Sequence, residues 1–460
     1  MAITTYIPQK IATLIEDDED DNLLQNSLSG VKTGAIASGI QTVIYPSVES
    51  VYVTAAADTG NGGDDWVSLS YVPTRSLDAG LGNDTLDLSR INSLMALEGG
   101  EYGDFFYWTS ISLHTSKMVF YSSYPVVTTA IRNFENVIGT CLPDRLTGSN
   151  KANILSGGGC SDTIFGGGGN DTLSGGFWSD FVYGQDGNDL IVQDSLLDDD
   201  LFDGGSGFDQ VDYSLAGGGR PIYANLATGR VEKSYYEYYY IGGYRNDIYT
   251  LNVDTLRSIE SIIGTSYNDT LAGGKYADNL QAGAGNDVIS GNAGNDSLSG
   301  MAGNDSINGD SGNDLLVGGA GDDTVNGGTG NDLMRLDGGG NDTFIFDAAF
   351  GKDKIVCANA ADAAGTDIVQ LNSVDATKVF FQRSANDLNV KIVGKSDVLT
   401  LVNWFGDPVT ATNGNVGFHI DQFKAGDVVV SGSLVDQFVK VVGTSPVYMG
   451  PLADYAATLG

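Results

Sequence analysis

Asp269, Asp278, Asp287, Asp296, Asp305, Asp314, Asp323 and Asp332 recur at a constant interval of nine residues. Almost every one closes a glycine-rich loop and is followed, two residues later, by an apolar side chain. The intact unit is Gly327–Gly328–Thr329–Gly330–Asn331–Asp332–Leu333–Met334–Arg335, or Gly-Gly-x-Gly-x-Asp-x-apolar-x. Glycine permits positive φ and close backbone approach, so carbonyl oxygens can converge beside each carboxylate. Calcium, a hard cation taking roughly six to eight oxygens, suits such donors. Asp342 extends the array. A poorer array carries Asp144, Asn153, Asp162, Asp171, Asp180 and Asp189, then an irregular acidic stretch and Gly204–Asp212. In it Cys160 and Trp178 stand where the fourth-position Gly belongs, and Asn153 replaces a carboxylate. A weaker loop, Gly60–Ser68 with Asp65, lies upstream.

Positioning these carboxylates requires short strands. The residues x-apolar-x form one, and alternation points the central side chain to one face. In the better array the inward set is Leu271, Leu280, Ile289, Leu298, Ile307, Leu316, Val325, Met334 and Phe344, all apolar. Gly-Asn-Asp loops also serve as turns of a metal-free solenoid, but a carboxylate held at one phase favours the metal. A larger order is a duplication with a period of 125 residues, aligning Asp87 with Asp212 and Asp144 with Asp269. Phe134–Thr140 aligns with Ile259–Thr265 at the same offset. The intervening segments, 90–130 and 215–255, are rich in Tyr, Phe and Thr and read as β-rich caps or insertions. Beyond Thr343–Asp347, stretches at Lys378–Gln382, Leu388–Val393 and Val398–Val402 predict antiparallel β structure. Hardly any of the chain shows helical periodicity.

The 460 residues suffice for two to four domains or one long solenoid. A formal net charge of −36 argues against nucleic-acid or anionic-membrane partners. With 41% hydrophobic and 10% aromatic residues, the chain is too apolar for permanent disorder. A core-forming but self-repelling chain points to a missing counter-ion. Cys141, Cys160 and Cys357 have no metal spacing and make no disulfide framework. The start, Met1–Ile15, has only Lys10 as a basic residue and lacks a Sec-type signal pattern. No run is long enough to span a bilayer.

The nonapeptide resembles the repeat of RTX proteins, for which it is the established calcium-binding signature. Asp269–Asp332 match at the metal position, as do Gly283, Gly291, Gly318, Gly319, Gly327 and Gly328; Gly166 and Gly167 hold equivalent places in the poorer array. Phe381–Leu388 with Leu399–Phe405 resembles the haemolysin-type calcium-binding related segment. The resemblance implies an all-β parallel β-roll, Ca2+ as the bound ion, export through a type I (ABC) exporter and an uncleaved C-terminal signal near Asp421–Gly460. The expected division is a lead segment 1–50, a degenerate first turn with insertion 51–138, array 1 over 139–213, a Tyr-rich insertion or cap 214–263, array 2 over 264–347 and a C-terminal β domain 348–460. With two nonapeptides per turn, ions sit between Asp269, Asp287, Asp305 and Asp323 on one edge. On the other they sit between Asp278, Asp296, Asp314 and Asp332. An extra residue at Arg335–Gly338 makes Asp323–Asp342 doubtful. Unscreened by metal, two such carboxylates at about 5 Å repel by roughly 3 kcal/mol at an effective dielectric near 20. Calcium about tenfold above a site's Kd contributes about 1.4 kcal/mol per site. The expected chain is therefore disordered in the cytosol and folds outside the cell.

No catalytic motif accompanies these arrays. His114 and His419 are far apart and lack the His-Glu-x-x-His pattern. Gly204–Phe208 fails the Gly-x-Ser-x-Gly pattern at its last position. Both histidines read as structural. Tyr235, Tyr236, Tyr238, Tyr239, Tyr240 and Tyr244 could face sugars, although a hairpin covering the end of the roll is the simpler reading. The expected function is a secreted, non-enzymatic, structural or adhesive protein at the cell surface, with cell-surface glycan a potential partner. The alternative is a polysaccharide-active enzyme built on Asp pairs in the insertions.

Overall fold

The structure, a computed structural model, describes Thr42–Ile44, Trp66–Ser68 and residues 77–449 apart from 90, 92–105, 123–125, 196, 217–219, 242–243, 348, 358–364, 406–419 and 443–444. Asp65, His419, the lead segment before Thr42 and the last residues of the expected export signal lie outside the described residues. So do the side chains of the tyrosine cluster. The chain divides into two compact units, Met1–Cys141 and Leu142–Gly460.

In the first unit Trp66–Ser68, Thr85–Asp87 and Asn136–Ile138 pair in parallel, in that order. The expected β-rich insertion is an antiparallel meander of Phe106–Ser112, Lys117–Ser122 and Val127–Arg132. Ile111, Met118, Phe120 and Ile131 are its buried members.

The second unit is a parallel β-roll. On one face, eleven strands from Ile154–Gly159 to Val398–Leu401 stack in unbroken parallel succession. Within the regular parts of the arrays each residue pairs with the one eighteen further on, as Ile154 does with Thr172, and the offset grows to 19 or 20 where a loop is longer, as from Thr324 to Thr343 and from Leu190 to Gln210. That register places identical phases of the nonapeptide above one another, which is why apolar residues form continuous inward columns. All nine residues of the expected inward set are at most 1% exposed. Burying one such side chain contributes about 1.5–3 kcal/mol, so each turn adds two of these to a core no single repeat could form.

The opposite face shows how the arrays are joined. Leu201–Ser206 pairs in parallel with Tyr244–Arg257, which pairs antiparallel with Arg230–Ile241. That strand pairs antiparallel with Ile222–Asn225, which runs parallel to Thr270–Ala272 at the start of array 2. The Tyr-rich segment thus pairs with the sheet through both of its long strands. Its base is part of the sheet.

The 125-residue duplication is visible as geometry. Thr85–Asp87 beside Asn136–Ile138 is repeated as Gln210–Asp212 beside Ser261–Ile263, both parallel. Downstream, Val379–Ser384, Asp387–Ile392 and Val398–Leu401 form the expected antiparallel stretch. However, the parallel stack continues past 347. Lys352–Cys357 pairs with both Leu333–Leu336 and Val398–Leu401, and Ile368–Leu371 pairs with Gln422–Ala425. An α-helix, Gly432–Val442, follows; it buries Leu434, Val435 and Val439. Leu434, Val435, Phe438 and Val439 fall at helical spacing along it, a short local period that stands out from the surrounding strands.

Candidate metal centre

From Gly283 onward the loops of array 2 bend at their second and fourth positions, where φ is positive. In the 327–335 unit these are Gly328 at +88° and Gly330 at +149°. A side chain at Gly328 would collide with the carbonyl oxygen of Asp310 in the preceding same-edge loop. Gly167, Gly283 and Gly319 hold that second position against the carbonyls of Ser149, Thr265 and Met301. Gly166, Gly291, Gly318 and Gly327 hold the first position, each beside Oδ2 of its own aspartate, Asp171, Asp296, Asp323 and Asp332.

The aspartates form two ladders. On one edge the backbone N–H groups of Asp269, Asp287 and Asp305 donate to Oδ1 of Asp287, Asp305 and Asp323 at 2.7, 2.8 and 2.8 Å. On the other, Asp278, Asp296 and Asp314 donate to Asp296, Asp314 and Asp332 at 2.9, 2.8 and 2.9 Å. Array 1 repeats this with Asp144 to Asp162, Asp162 to Asp180, Asn153 to Asp171 and Asp171 to Asp189, each 2.7 Å. The array 2 aspartates that the spacing places eighteen residues apart on one edge are thus joined by direct contacts. The step doubted from the sequence is also intact, because Asp323 donates to Asp342 at 2.9 Å. Gly338, Gly339 and Gly340, all at positive φ, absorb the extra residue in the loop.

With Oδ1 engaged by backbone, Oδ2 is left over. It is buried and lacks a hydrogen-bond partner in Asp162, Asp171, Asp189, Asp209, Asp287, Asp296, Asp305, Asp314, Asp323, Asp332 and Asp353. A side-chain carbon placed on Gly291 would lie 2.5 Å from Oδ2 of Asp296 and 2.8 Å from the carbonyl oxygen of Gly309. Acceptors thus face acceptors with no donor between them. A buried charged acceptor left unsatisfied costs more than about 1–3 kcal/mol, and a cation at that point removes the cost. Among the described residues no three His, Cys, Asp or Glu side chains gather as a metal cluster. The oxygens must therefore come from one carboxylate per loop plus backbone carbonyls, a donor set that fits calcium.

Asp269 and Asp278 depart from this pattern. Oδ2 of Asp269 accepts from the Thr265 N–H at 2.6 Å, and Oδ2 of Asp278 from the Gly274 N–H at 2.5 Å. Asp269 therefore has both oxygens satisfied by the protein, its Oδ1 accepting from the Ile222 N–H at 2.7 Å, and Asp278 has its Oδ2 engaged. His114 is exposed in a turn of the first unit.

Burial, then neighbouring carboxylates, raise the acids, against the pull of the ladder N–H groups. Asp162 is pushed up to about 9, Asp180 to about 8 and Asp171 to about 7. In array 2 Asp287, Asp296, Asp314 and Asp332 reach about 6, and Asp323 about 7. The charged form is thus costly wherever no cation neutralises it.

Several ladder members escaped the sequence reading. Asp180 and Asp189 donate to Asp200 and Asp209 at 2.9 and 2.8 Å, Asp209 to Oε2 of Glu260 at 2.9 Å and Asp332 to Asp353 at 2.9 Å. Asp342 donates to Asp367 at 3.0 Å, and Asp367 to Asp421 at 2.9 Å. Their loops vary in length, so no period marks them. A usable signal was a buried apolar residue two positions on, as in Val211, Ile355, Val369 and Phe423. A second, outer ladder also went unnoticed. Asn286 donates its N–H to Oδ1 of Asn268, Asn304 to Asn286 and Asp322 to Asn304, each at 2.9 Å.

A family model of the RTX calcium-binding nonapeptide repeat matches in four copies, at residues 143–173, 166–192, 263–298 and 299–334. No curated protein matches the chain. Among solved structures, the extracellular lipase LipA from Serratia marcescens is similar at 19% identity with a TM-score of 0.19. The match covers 60% of this chain and 40% of that one.

Proposed function

We propose that this chain, which carries RTX calcium-binding nonapeptide repeats, is a secreted protein whose β-roll is locked by calcium outside the cell, in a structural or adhesive role at the surface. The calcium-binding roll is the premise; export, location and role are the proposal. One observation carries it: the repeated buried Oδ2, facing carbonyl oxygens and lacking any donor. Such a roll is poorly satisfied where calcium is scarce and satisfied where it is plentiful, which suits a chain that must leave the cell unfolded through a type I exporter. A non-catalytic role is supported by the use of the ladder carboxylates, whose Oδ1 atoms are committed to backbone N–H groups. The long parallel faces of the roll offer surface for cell-surface glycan.

The test is to express the chain with and without a type I exporter and follow its partition between cytosol, medium and cell surface. Calcium-dependent appearance outside the cell, with surface retention reversed by chelator, is expected. Cytosolic retention of folded protein despite the exporter, or turnover of a glycan abolished by replacing acidic residues in 90–130 or 215–255, would overturn this role.

A further inference from the structure

One step of the ladder is built unlike the rest. The Asp200 N–H donates to Oδ1 of Asp254 at 3.0 Å, the same contact made elsewhere between consecutive loops, although 54 residues separate the two. Here Lys233, from the strand Arg230–Ile241, places Nζ 2.6 Å from Oδ1 of Asp254 and 3.5 Å from Oδ2 of Asp200. The three side chains are at most 3% exposed. The Tyr213 hydroxyl donates to Oδ2 of Asp254 at 2.8 Å, and Nε2 of Gln193 donates to Oδ2 of Asp200. The oxygens orphaned at other steps are satisfied at this one, by donors from the chain itself.

We propose that the Lys233 ammonium stands where the ladder steps with an orphaned Oδ2 require a metal ion, so that the Asp200–Asp254 step closes without calcium. This inference deepens the calcium-locked roll proposed above and rests on that reading. A buried ion pair is retained only where its geometry is good and its remaining lone pairs are bonded; Tyr213, Gln193 and the Asp200 N–H meet that condition. A tethered ammonium carries three donors and one positive charge, and its occupancy does not depend on calcium concentration, whereas a bound ion's does. The position gives this a consequence. Leu201–Ser206 meets Tyr244–Arg257 at this step, and the adjoining strands lead to Thr270–Ala272 of array 2. The seam between the arrays is thereby held before calcium arrives, and each array can grow from it when the ion is supplied.

Amide hydrogen exchange of the full chain at pH 8 in excess chelator tests this. The Asp200, Thr255 and Leu256 amides are expected to stay protected while those of Asp287, Asp305 and Thr324 exchange freely. Lys233→Met should speed exchange at the seam about a hundredfold in chelator. The double variant Lys233→Met with Asp254→Asn removes the ammonium together with the charge it neutralises and should recover much of that protection. Seam amides as fast as those of array 2 in the unaltered chain would overturn the inference. So would an unaffected Lys233→Met variant, or a double variant no better than the single one, which would make Lys233 a packing residue. Protection of array 2 in chelator would instead overturn the calcium reading and is read from different amides.

Discussion

Array 1 and array 2 hang on the same carboxylate ladder, yet they differ along the outer rim. In array 2 the residue before each aspartate but Asp278 is Asn or Asp, and on both edges such residues accept from the N–H of their counterparts one turn on. In array 1 an asparagine ladder survives on one edge only, from Asn170 through Asn188 to Phe208; on the other, Asp199 donates its N–H to Oγ of Ser179 at 3.3 Å and accepts from the Val253 N–H at 2.7 Å. Its other edge carries Ser161 and Ser179, and Trp178 is held at φ +83° with 64% of its surface exposed. Its Asp162 and Asp180, pushed by burial up to about 9 and about 8, are also raised further than Asp287 and Asp323 at about 6 and about 7. The regular array has a metal-independent set of bonds to fall back on, and the irregular one leans harder on the cation. Array 1 should therefore need more calcium to form.

The broadest way to break this contrast is by pH in excess chelator. Each raised carboxyl favours the protonated fold, so its contribution is complete below the ordinary value of 3.8 and is lost as pH rises through the folded value. For Asp171, Asp180 and Asp162 that window lies at about 7 to 9, and for array 2 at about 6 to 7. Acidifying the calcium-free protein from pH 9 toward 5 should restore β structure, beginning in array 1. Circular dichroism follows the total and hydrogen exchange the order. Restoration beginning in array 2 would reverse the assignment.

Single ladder carboxylates come next. Asp305→Ala should lower stability in saturating calcium by roughly 3 kcal/mol, through loss of a charged hydrogen-bond acceptor. Asp162→Ala, on the edge without an asparagine ladder, should cost more, and thermal unfolding compares the two. Smaller effects are expected at the positive-φ positions. Trp178→Gly should stabilise array 1 by about 1 kcal/mol by relieving left-handed strain. Gly328→Ala should destabilise array 2 by at least as much, with the added collision against Asp310. The smallest change is Asn313→Ala, which removes one rung of the outer ladder and should cost about 0.5–1.5 kcal/mol. An equal loss from the serine edge of array 1, by Ser179→Ala, would erase the distinction.

Much of this was legible in the sequence because the repeat is nearly exact. Constant spacing from Asp269 to Asp332 fixed which carboxylates meet, and the apolar residue two positions on fixed which side chains face inward. Legibility failed where loop length changed. Asp353, Asp367 and Asp421 continue the ladder at separations of 21, 25 and 54 residues, and only strand pairing closes those gaps. Lys233 belongs to a hairpin that carries no nonapeptide, so nothing local links it to Asp200 and Asp254. Asp269 and Asp278 share the motif's phase but lie in loops whose Thr265 and Gly274 N–H groups turn onto the carboxylates. A motif specifies phase; the neighbouring backbone decides whether an oxygen is left for metal.

The most direct test of the central claim is far-ultraviolet circular dichroism of the full chain at pH 8, titrated from excess chelator into millimolar calcium. The account predicts loss of most β signal in chelator and its cooperative return as several ions bind. An unchanged, folded spectrum across the titration would contradict it.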